Sequence, residues 1–237
     1  MLVTITIIRY KKRYIFFALM AMVIHRLSFL FNQNISFYKL LGCGKNGTFD
    51  KHPDWQQWGI LTVQRMDNIP GESALIKNLY GSFINAWFRF FKCETWTILL
   101  EPIEGHGQWD NKEPFGSLPK QSGYDGPLAI LTRATIRLSK LKAFWQNVDG
   151  VANQMAGAKG LITSIGIGEM PYIKQATFSI WENKEAMKLF AYQMSQHTEV
   201  IKKTRKENWY SEDMFVRFRL IKTYGTIKGN DPLEGKL

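Results

Sequence analysis

Cysteine is scarce in this chain, which has Cys43 and Cys93 among 237 residues. Two thiols cannot build a disulfide scaffold, and they cannot supply a four-thiolate zinc site. Extracellular domains of the disulfide-rich class are therefore excluded. We expect a cytoplasmic protein whose cysteines are reduced.

Histidine is also scarce, and no two of the four histidines stand at the spacing of metal ligands. A zinc hydrolase is therefore not supported. The sequence has no Gly-x-Ser-x-Gly turn, and neither cysteine has a histidine close by in sequence. Nucleophilic catalysis without a cofactor is not supported either. The four histidines are His25, His52, His106 and His197.

Acidic residues are outnumbered, since 20 Asp and Glu face 31 Lys and Arg, which gives a net charge of +11. The basic residues are dispersed, with short clusters at Lys11–Arg13 and Lys202–Lys206. No zinc-finger, RNA-recognition or basic-zipper pattern accompanies them, so we expect no sequence-specific nucleic-acid partner. Acidic ligands or an anionic membrane surface explain the charge equally well, so peripheral membrane contact stays open.

Long hydrophobic runs are missing, because the apolar run Tyr14–Ile24 is too short to span a bilayer as a helix. Together with the basic run Arg9–Arg13 it imitates a secretion signal, but no small-residue cleavage site follows. The β-branched run Val3–Ile8 also precedes the basic residues. The sequence predicts a buried strand Val3–Arg9 and then an amphipathic helix, with a cleaved signal as the alternative.

One pattern of predicted elements, β-α-β-β-α-β, occurs twice, and each copy is a ferredoxin-like unit. The first copy comprises strand Val3–Arg9, helix Phe16–Phe29, strands Ser36–Gly42 and Trp55–Gln64, helix Ser73–Phe91 and strand Thr95–Ile103. The second comprises strand Ala129–Arg137, helix Leu141–Gln154, strands Gly160–Gly166 and Gln175–Trp181, helix Glu185–Lys206 and strand Asp213–Lys222. The local match of Leu41–Lys45 with Ile165–Glu169 favours duplication.

The repeats define a domain division: residues 1–110 are the first ferredoxin-like repeat and residues 128–230 the second. Residues 111–127, in a stretch rich in Gly, Pro, Ser and Lys, form a linker, and residues 231–237 a C-terminal tail. A ferredoxin-like sheet has helices on one face, so two units in one chain can cover each other's open faces. We therefore predict an α+β fold in which tandem βαββαβ repeats close a barrel. Two independent domains are the alternative, disfavoured because the strands are apolar on both faces.

A glycine motif, Gly42-x-Gly44-x-x-Gly47, matches the dinucleotide fingerprint. The fingerprint requires a helix directly after the turn, whereas here the chain continues into the loop Thr48–Asp54. We reject nucleotide binding. The partial echo Gly166-x-Gly168 in the second repeat predicts a hairpin with glycine-dependent backbone angles instead.

His197 differs from the other histidines, because Phe190, Met194, His197 and Ile201 lie on one face of a predicted helix. A core histidine bonded to the backbone is the usual explanation of such a position. A neutral imidazole on an apolar face also suits an axial haem ligand. Arg205 in the following turn could then meet a propionate, and Trp209 could flank the porphyrin.

Arginines on two predicted strands also suggest a bound anion. Alternation puts Arg133 and Arg137 on one face of their strand, opposite mostly apolar residues. Arg217 and Arg219 are placed likewise on the last strand. If both sheet faces are covered, these side chains must meet buried anions, either propionates or carboxylates. If a face is open, they are solvated.

Seven segments together have the character of one known family: Ser36–Lys45, Pro53–Trp55, Gly107–Trp109, Leu131–Arg137, Phe144–Trp145, His197–Arg205 and Trp209–Phe215. Through these segments the sequence resembles the spheroidene monooxygenase family over Val3–Gly229. The resemblance implies a dimeric α+β barrel within one chain. It also implies a monooxygenase that uses haem b, dioxygen and an external electron donor to add a keto group to an acyclic carotenoid.

Carried over by position, His197 matches the proximal iron ligand, with Arg137, Arg205, Arg217 and Trp209 as candidate haem contacts. The first repeat departs from this pattern, because Leu79–Phe91 has no histidine, so one haem at most is expected. Two alternatives remain open. One is a non-catalytic protein of the same fold that binds haem or a lipophilic ligand, and the other is a cofactor-free barrel monooxygenase. Self-association is also left open.

Overall fold

The computed structural model describes residues 1–45, 52–65, 71–193, 204 and 206–237. The first half contains β1 (Leu2–Arg9), α1 (Ile15–Leu30), β2 (Ile35–Gly44), β3 (Pro53–Gln64), α2 (Leu75–Tyr80), α3 (Ser82–Phe90) and β4 (Glu94–Gly107). The second half contains β5 (Leu128–Ile136), α4 (Leu141–Ala156), β6 (Leu161–Met170), β7 (Lys174–Trp181), α5 (Lys184–Gln193) and β8 (Tyr210–Gly225). Short 3-10 turns at Lys12–Tyr14, Glu72–Ala74 and Leu138–Lys140 precede α1, α2 and α4.

The eight strands form one closed antiparallel barrel in the order β1-β3-β2-β6-β7-β5-β8-β4. Each half contributes four adjacent strands, β4-β1-β3-β2 and β8-β5-β7-β6, which is the same ferredoxin-like order in both. The predicted fold class is therefore confirmed: tandem βαββαβ units close one α+β barrel inside a single chain. Closure removes the open sheet edges that two separate units would have.

The two seams between the halves differ in length. Strands β4 and β8 pair from Trp96–Gly225 to Gly107–Met214, whereas β2 and β6 are joined by the pairs Gly42–Gly168 and Cys43–Ile167. The glycine motif and its echo therefore meet across the short seam. The predicted hairpins are present, since β2 pairs antiparallel with β3 and β6 with β7. The expected glycine-dependent backbone angles are not, because neither Gly42 nor Gly168 has a positive φ.

Alternate strand residues, such as Val3, Ile5 and Ile7 of β1, fill the barrel interior. Trp109 and Phe115, from the connection between β4 and β5, are buried in the same core. Leu233, from the segment after β8, is buried there too. The stretches that the sequence suggests are a linker and a tail thus each contribute packed side chains.

Helices cover the outer surface, and some bounds differ from prediction. The helix predicted over Ser73–Phe91 is two helices, α2 and α3, because Gly81 between them has φ +90, outside the helical region. Strand β1 pairs with β3 on one side and β4 on the other, which confirms the predicted N-terminal strand. The helix predicted over Glu185–Lys206 is described as far as Gln193, and residues 194–203 and 205 lie outside the described residues.

Candidate functional site

The structure describes three of the five residues predicted to hold a cofactor. His197 and Arg205 lie outside the described residues, so their placement stays a prediction. Arg137 is exposed just after β5, Arg217 is half-buried on β8, and Trp209 is fully buried.

Two rows of paired residues lie on the outer face of the second half-sheet. Cross-strand pairing places Phe215, Thr132, Thr177 and Gly166 in one row across β8, β5, β7 and β6. The next row holds Arg217, Ile130, Ser179 and Ser164. Their strand neighbours, including Leu131, Phe178 and Val216, belong to the barrel core, so these two rows face outwards. We call the two rows the outer patch.

The described residues leave the outer patch without a polar cap. Thr132 is exposed, although its strand β5 is paired on both sides by β7 and β8. The Thr177 hydroxyl is buried without a hydrogen-bond partner among the described residues. An orphaned buried hydroxyl costs roughly 1–3 kcal/mol, so this surface favours a polar or ligand group above it.

In the first half, the side chain of Tyr80 covers the corresponding outer surface of the sheet. Thr4 and Thr62 are paired across β1 and β3 as Thr132 and Thr177 are across β5 and β7. Their hydroxyls lie 2.7 Å apart, and the Tyr80 hydroxyl lies 3.1 Å from Thr4 and 2.6 Å from Thr6. Burial raises the pKa of Tyr80 to about 12, so it stays a neutral phenol.

Sequence position relates His197 to this arrangement. The same number of residues separates Gly81 from the start of β4 and His197 from the start of β8. Gly81 directly follows Tyr80, the residue that fills the first-half surface. The segment around His197 thus corresponds, by count, to the segment that closes the first half.

Arg217 stands at the edge of the outer patch with part of its charge already paired. Its guanidinium donates to Glu104, which also accepts from Lys184 Nζ at 3.1 Å and from the backbone of Ser122 at 3.0 Å. The guanidinium carbon lies 4.9 Å from the centre of the Phe215 ring, and burial lowers the pKa of Arg217. Its Nε has no partner among the described residues, so one donor remains for an anion.

Trp209 and Arg137 lie together at the start of β8. The Trp209 ring packs with Ile136, Phe144 and Trp145, and its Nε1 donates to Glu207 at 2.9 Å. The Arg137 backbone donates to the Trp209 carbonyl at 2.9 Å while its side chain is exposed. In this structure the buried Trp209 ring anchors the start of β8.

Arg133 does point into the barrel, and the anions it meets are carboxylates. Six charged residues form a cluster at one mouth of the barrel, which we call the mouth network: Lys39, Asp110, Arg133, Glu169, Lys174 and Glu212. Arg133 pairs with Glu212, and Lys174 Nζ lies 2.7 Å from Asp110. Desolvation opposes ionisation of Asp110, but the hydrogen bonds from Lys174 and Lys39 outweigh it and hold its pKa at about 2.

The other described histidines do not offer an open metal site. His25 is buried with an unpartnered Nε2 among the described residues, and the rings of Trp87 and Phe88 lie within 5.6 Å of its own. The void there, about 10 Å³, has room for one water molecule and not for a porphyrin. Within the described ranges, no three His, Cys, Asp or Glu side chains group so as to hold a metal ion.

An aromatic groove of about 320 Å³ follows the short seam between β2 and β6. We call it the seam groove. Its lining includes Leu19 and Met22 of α1, Trp55 and Trp58 of β3, Trp145 of α4, and Tyr172 and Gly166. Gly166 also belongs to the outer patch, so the groove runs from α1 to the edge of that patch. A larger cavity of about 750 Å³ beside α5 is lined by Lys159, Glu182 and Glu185, and is less suited to an apolar ligand.

Comparisons with known proteins agree with the fold and give a family. The chain is 33% identical over 235 residues to a protein named spheroidene monooxygenase from Cereibacter sphaeroides, covering 98% of this chain and 70% of that one. It is 34% identical over 206 residues to the protein of that name from Rhodobacter capsulatus, covering 86% and 83%. No protein-family model matches the chain.

Among solved structures, two crystal structures of aldoxime dehydratase share the fold. One, solved with butyraldoxime, has a TM-score of 0.64 at 7% identity and covers all of this chain and 85% of that one. The other has a TM-score of 0.62 at 10% identity and covers all of this chain and 87% of that one. At these identities the likeness concerns the fold alone.

Proposed function

Since the chain belongs to the spheroidene monooxygenase family, and is therefore a monooxygenase, we propose that it binds haem b over the outer patch and oxidises an acyclic, carotenoid-like polyene. Dioxygen and an external electron donor are the co-substrates in this proposal. The reduced, unpaired state of Cys43 and Cys93 is consistent with a cytoplasmic enzyme.

The outer patch is the observation that carries the proposal. Thr132 and Thr177 have short side chains and Gly166 has none, and Thr132 is exposed, so a flat macrocycle could approach the sheet there. Phe215 would supply apolar contact beside them, and Arg217 Nε, unpartnered among the described residues, would supply a donor for a propionate. In the first half, Tyr80 occupies the matching surface.

In this proposal His197 would hold the haem iron through an imidazole nitrogen, as its inward position on the predicted helix suggests. Bound haem would supply the iron-centred activation of dioxygen. Arg217 is the best placed of the propionate candidates, while Arg137, Arg205 and Trp209 remain predicted contacts. The protein's own contribution is to hold the macrocycle, to exclude water and to present the substrate.

The seam groove is the proposed binding site for the polyene. Its aromatic side chains Trp55, Trp58 and Trp145 offer the apolar, flat contacts that a conjugated chain prefers. Gly166 borders both the groove and the outer patch, so a polyene in the groove would bring one end to the cofactor. The names of the curated relatives support a substrate of this class.

The test is the visible spectrum of protein purified from cells with adequate haem. We expect a Soret band that His197→Ala abolishes or strongly shifts in a variant shown to be folded by circular dichroism. His52→Ala is the control, since His52 is exposed and far in sequence from the second half. Loss of the band in His106→Ala instead would assign the ligand to His106, whose ring centre lies 5.9 Å from that of Phe215.

Turnover separates the proposal from its alternatives. With a reductant, dioxygen and an acyclic carotenoid, the product should gain oxygen by mass spectrometry. A Soret band without turnover indicates a haem-binding protein, and turnover without a Soret band indicates a cofactor-free monooxygenase.

A further inference from the structure

Charge is segregated along the chain. The first acidic residue is Asp50, and the residues before it include seven Lys and Arg. Helices α1 and α3 contain no Asp or Glu. The N-terminal region before Asp50 is therefore basic, and helices α1 and α3 carry no carboxylate that would compensate this charge.

Helix α1 is apolar on both sides. Ala18, Ala21, His25 and Phe29 are its buried residues. The side away from the barrel carries a second apolar stripe at helical spacing, Phe16, Met20, Val23, Leu27 and Leu30, and Phe16, Val23 and Leu30 are 66–69% exposed. A contiguous exposed apolar stripe of this kind marks a contact surface.

The stripe extends onto α3 and the end of α1. Phe90 is 76% exposed and contacts Phe91 edge to face, with ring centres 4.9 Å apart, and the Phe91 ring centre lies 4.8 Å from that of Phe17 of α1. Phe31 and Phe83 are exposed as well. We call the exposed apolar residues of α1 and α3, with Phe31, the aromatic face.

Basic side chains border the aromatic face. Lys11, Lys12 and Arg13 precede α1, and Arg89 and Lys92 stand at the end of α3, all exposed. In the described part of the chain none of the five has a carboxylate within ion-pair distance. Their charge is thus available to an external anion.

The two strands next to α1 hold it against the barrel. The segment Lys12–Leu30 has 19 residues and a mean hydropathy of 1.4, so by length and composition alone it could span a bilayer. However, β1 and β2, the strands on either side of it, are both paired within the barrel, and its buried side packs against them. Crossing a bilayer would therefore require the barrel to open.

We propose that the aromatic face is a docking surface for an anionic lipid bilayer. The exposed rings enter the interface between headgroups and acyl chains, while Lys11, Lys12, Arg13, Arg89 and Lys92 meet the anionic headgroups. Charge complementarity favours a bilayer over a second copy of the chain, because another copy's α1 and α3 bring no carboxylates. Docking would also place Leu19 and Met22, the α1 wall of the seam groove, beside the lipid. The inference rests on surface residues and is independent of haem.

The test is flotation of the full chain with vesicles of phosphatidylcholine alone or mixed with phosphatidylglycerol. We expect binding to the anionic vesicles that high salt weakens. A Phe16→Glu/Val23→Glu/Leu27→Glu variant should lose it. A Lys11→Ala/Lys12→Ala/Arg13→Ala variant should bind about a hundredfold more weakly, at about 1 kcal/mol per basic residue. Leu138→Glu and Leu189→Glu, exposed leucines outside the aromatic face, are matched controls that should bind as the parent does.

Parent protein that stays unbound with anionic vesicles would overturn the proposal. Equal binding by the parent and both triple variants, each folded by circular dichroism, would also overturn it. A concentration-dependent dimer in sedimentation experiments, lost in the triple-Glu variant and without vesicle binding, would assign the face to a second copy instead. The Soret band need not be present for any of these outcomes.

Discussion

Gly42 of β2 pairs with Gly168 of β6, and this pair joins the two halves of the barrel at its short seam. The two glycines are not equivalent. A Cβ on Gly168 would lie 2.8 Å from the carbonyl oxygen of Lys174, closer than real Cβ contacts allow. A Cβ on Gly42 would lie 3.7 Å from the Gly168 carbonyl, which is ordinary contact.

We therefore expect Gly168→Ala to destabilise the protein by about 1–3 kcal/mol, because the clash is with backbone that cannot turn aside. Gly42→Ala is the matched control and should change the free energy of unfolding little. Denaturant unfolding of the two variants measures the difference. Equal stability of the two would show that the seam relaxes at β7.

The doubled unit was predictable because it rests on local periodicity, which each segment carries by itself. The pairing of β2 with β6 was not predictable. The similarity of the segments around Gly42 and Gly168 is visible in the sequence, but the two glycines pair only because the barrel closes. Trp109 and Leu233 were missed for a similar reason. Each is a lone apolar residue in an aperiodic stretch, and nothing local marks it as buried.

The site was partly predictable. Strand alternation put Arg133 and Arg137 on one face and left open whether that face is covered or solvated. The structure turns Arg133 inward, and its partner Glu212, 79 residues away, could not be assigned from sequence. Alternation also places Thr132 and Thr177 on the outer face of their strands. Among the described residues the Thr177 hydroxyl has no partner, whereas Tyr80 fills the matching surface of the first half. That difference depends on where helices lie, which no sequence period specifies.

Asp110 should give the stability a dependence on acid pH. Its pKa is about 2 in the folded chain and 3.8 for the ordinary carboxyl, so its contribution is complete above about pH 4 and is lost as the pH falls toward 2. The side chain is 39% exposed, so solvent screening limits the effect to about 1 kcal/mol or less.

Unfolding of Asp110→Asn in urea at about pH 5 and about pH 3 tests this, and the loss of stability between them should shrink. Asp125→Asn, which changes an exposed carboxylate without an ion pair in the described residues, should behave as the parent does. An unchanged pH dependence in Asp110→Asn would show that the ion pairs of Asp110 in the mouth network do not contribute to stability.

His25 should make the protein less stable in mild acid. Burial lowers its pKa to about 4 from 6.5, so its contribution is complete above about pH 6.5 and is lost as the pH falls toward 4. The difference corresponds to about 3 kcal/mol. His25→Leu should flatten the stability between these pH values, whereas His106→Leu, at an exposed site, should not. If both variants keep the parent's dependence of the free energy of unfolding on pH, a group other than His25 causes the loss of stability in acid.

Trp55 of the seam groove should contribute to carotenoid binding. This side chain is 49% exposed and its ring centre lies 6.4 Å from that of Trp58, so it forms an open wall of the groove. Trp55→Ala should lower the melting temperature only modestly, because about half of the side chain is exposed, and should weaken carotenoid binding by about tenfold. A titration that follows the shift of the carotenoid's absorption band measures this, with Leu138→Ala as the control. Because Trp55 does not belong to the outer patch, the Soret band should stay in place in the variant. Unchanged carotenoid affinity in folded Trp55→Ala would exclude this wall from the substrate site and leave the haem proposal standing on the outer patch alone.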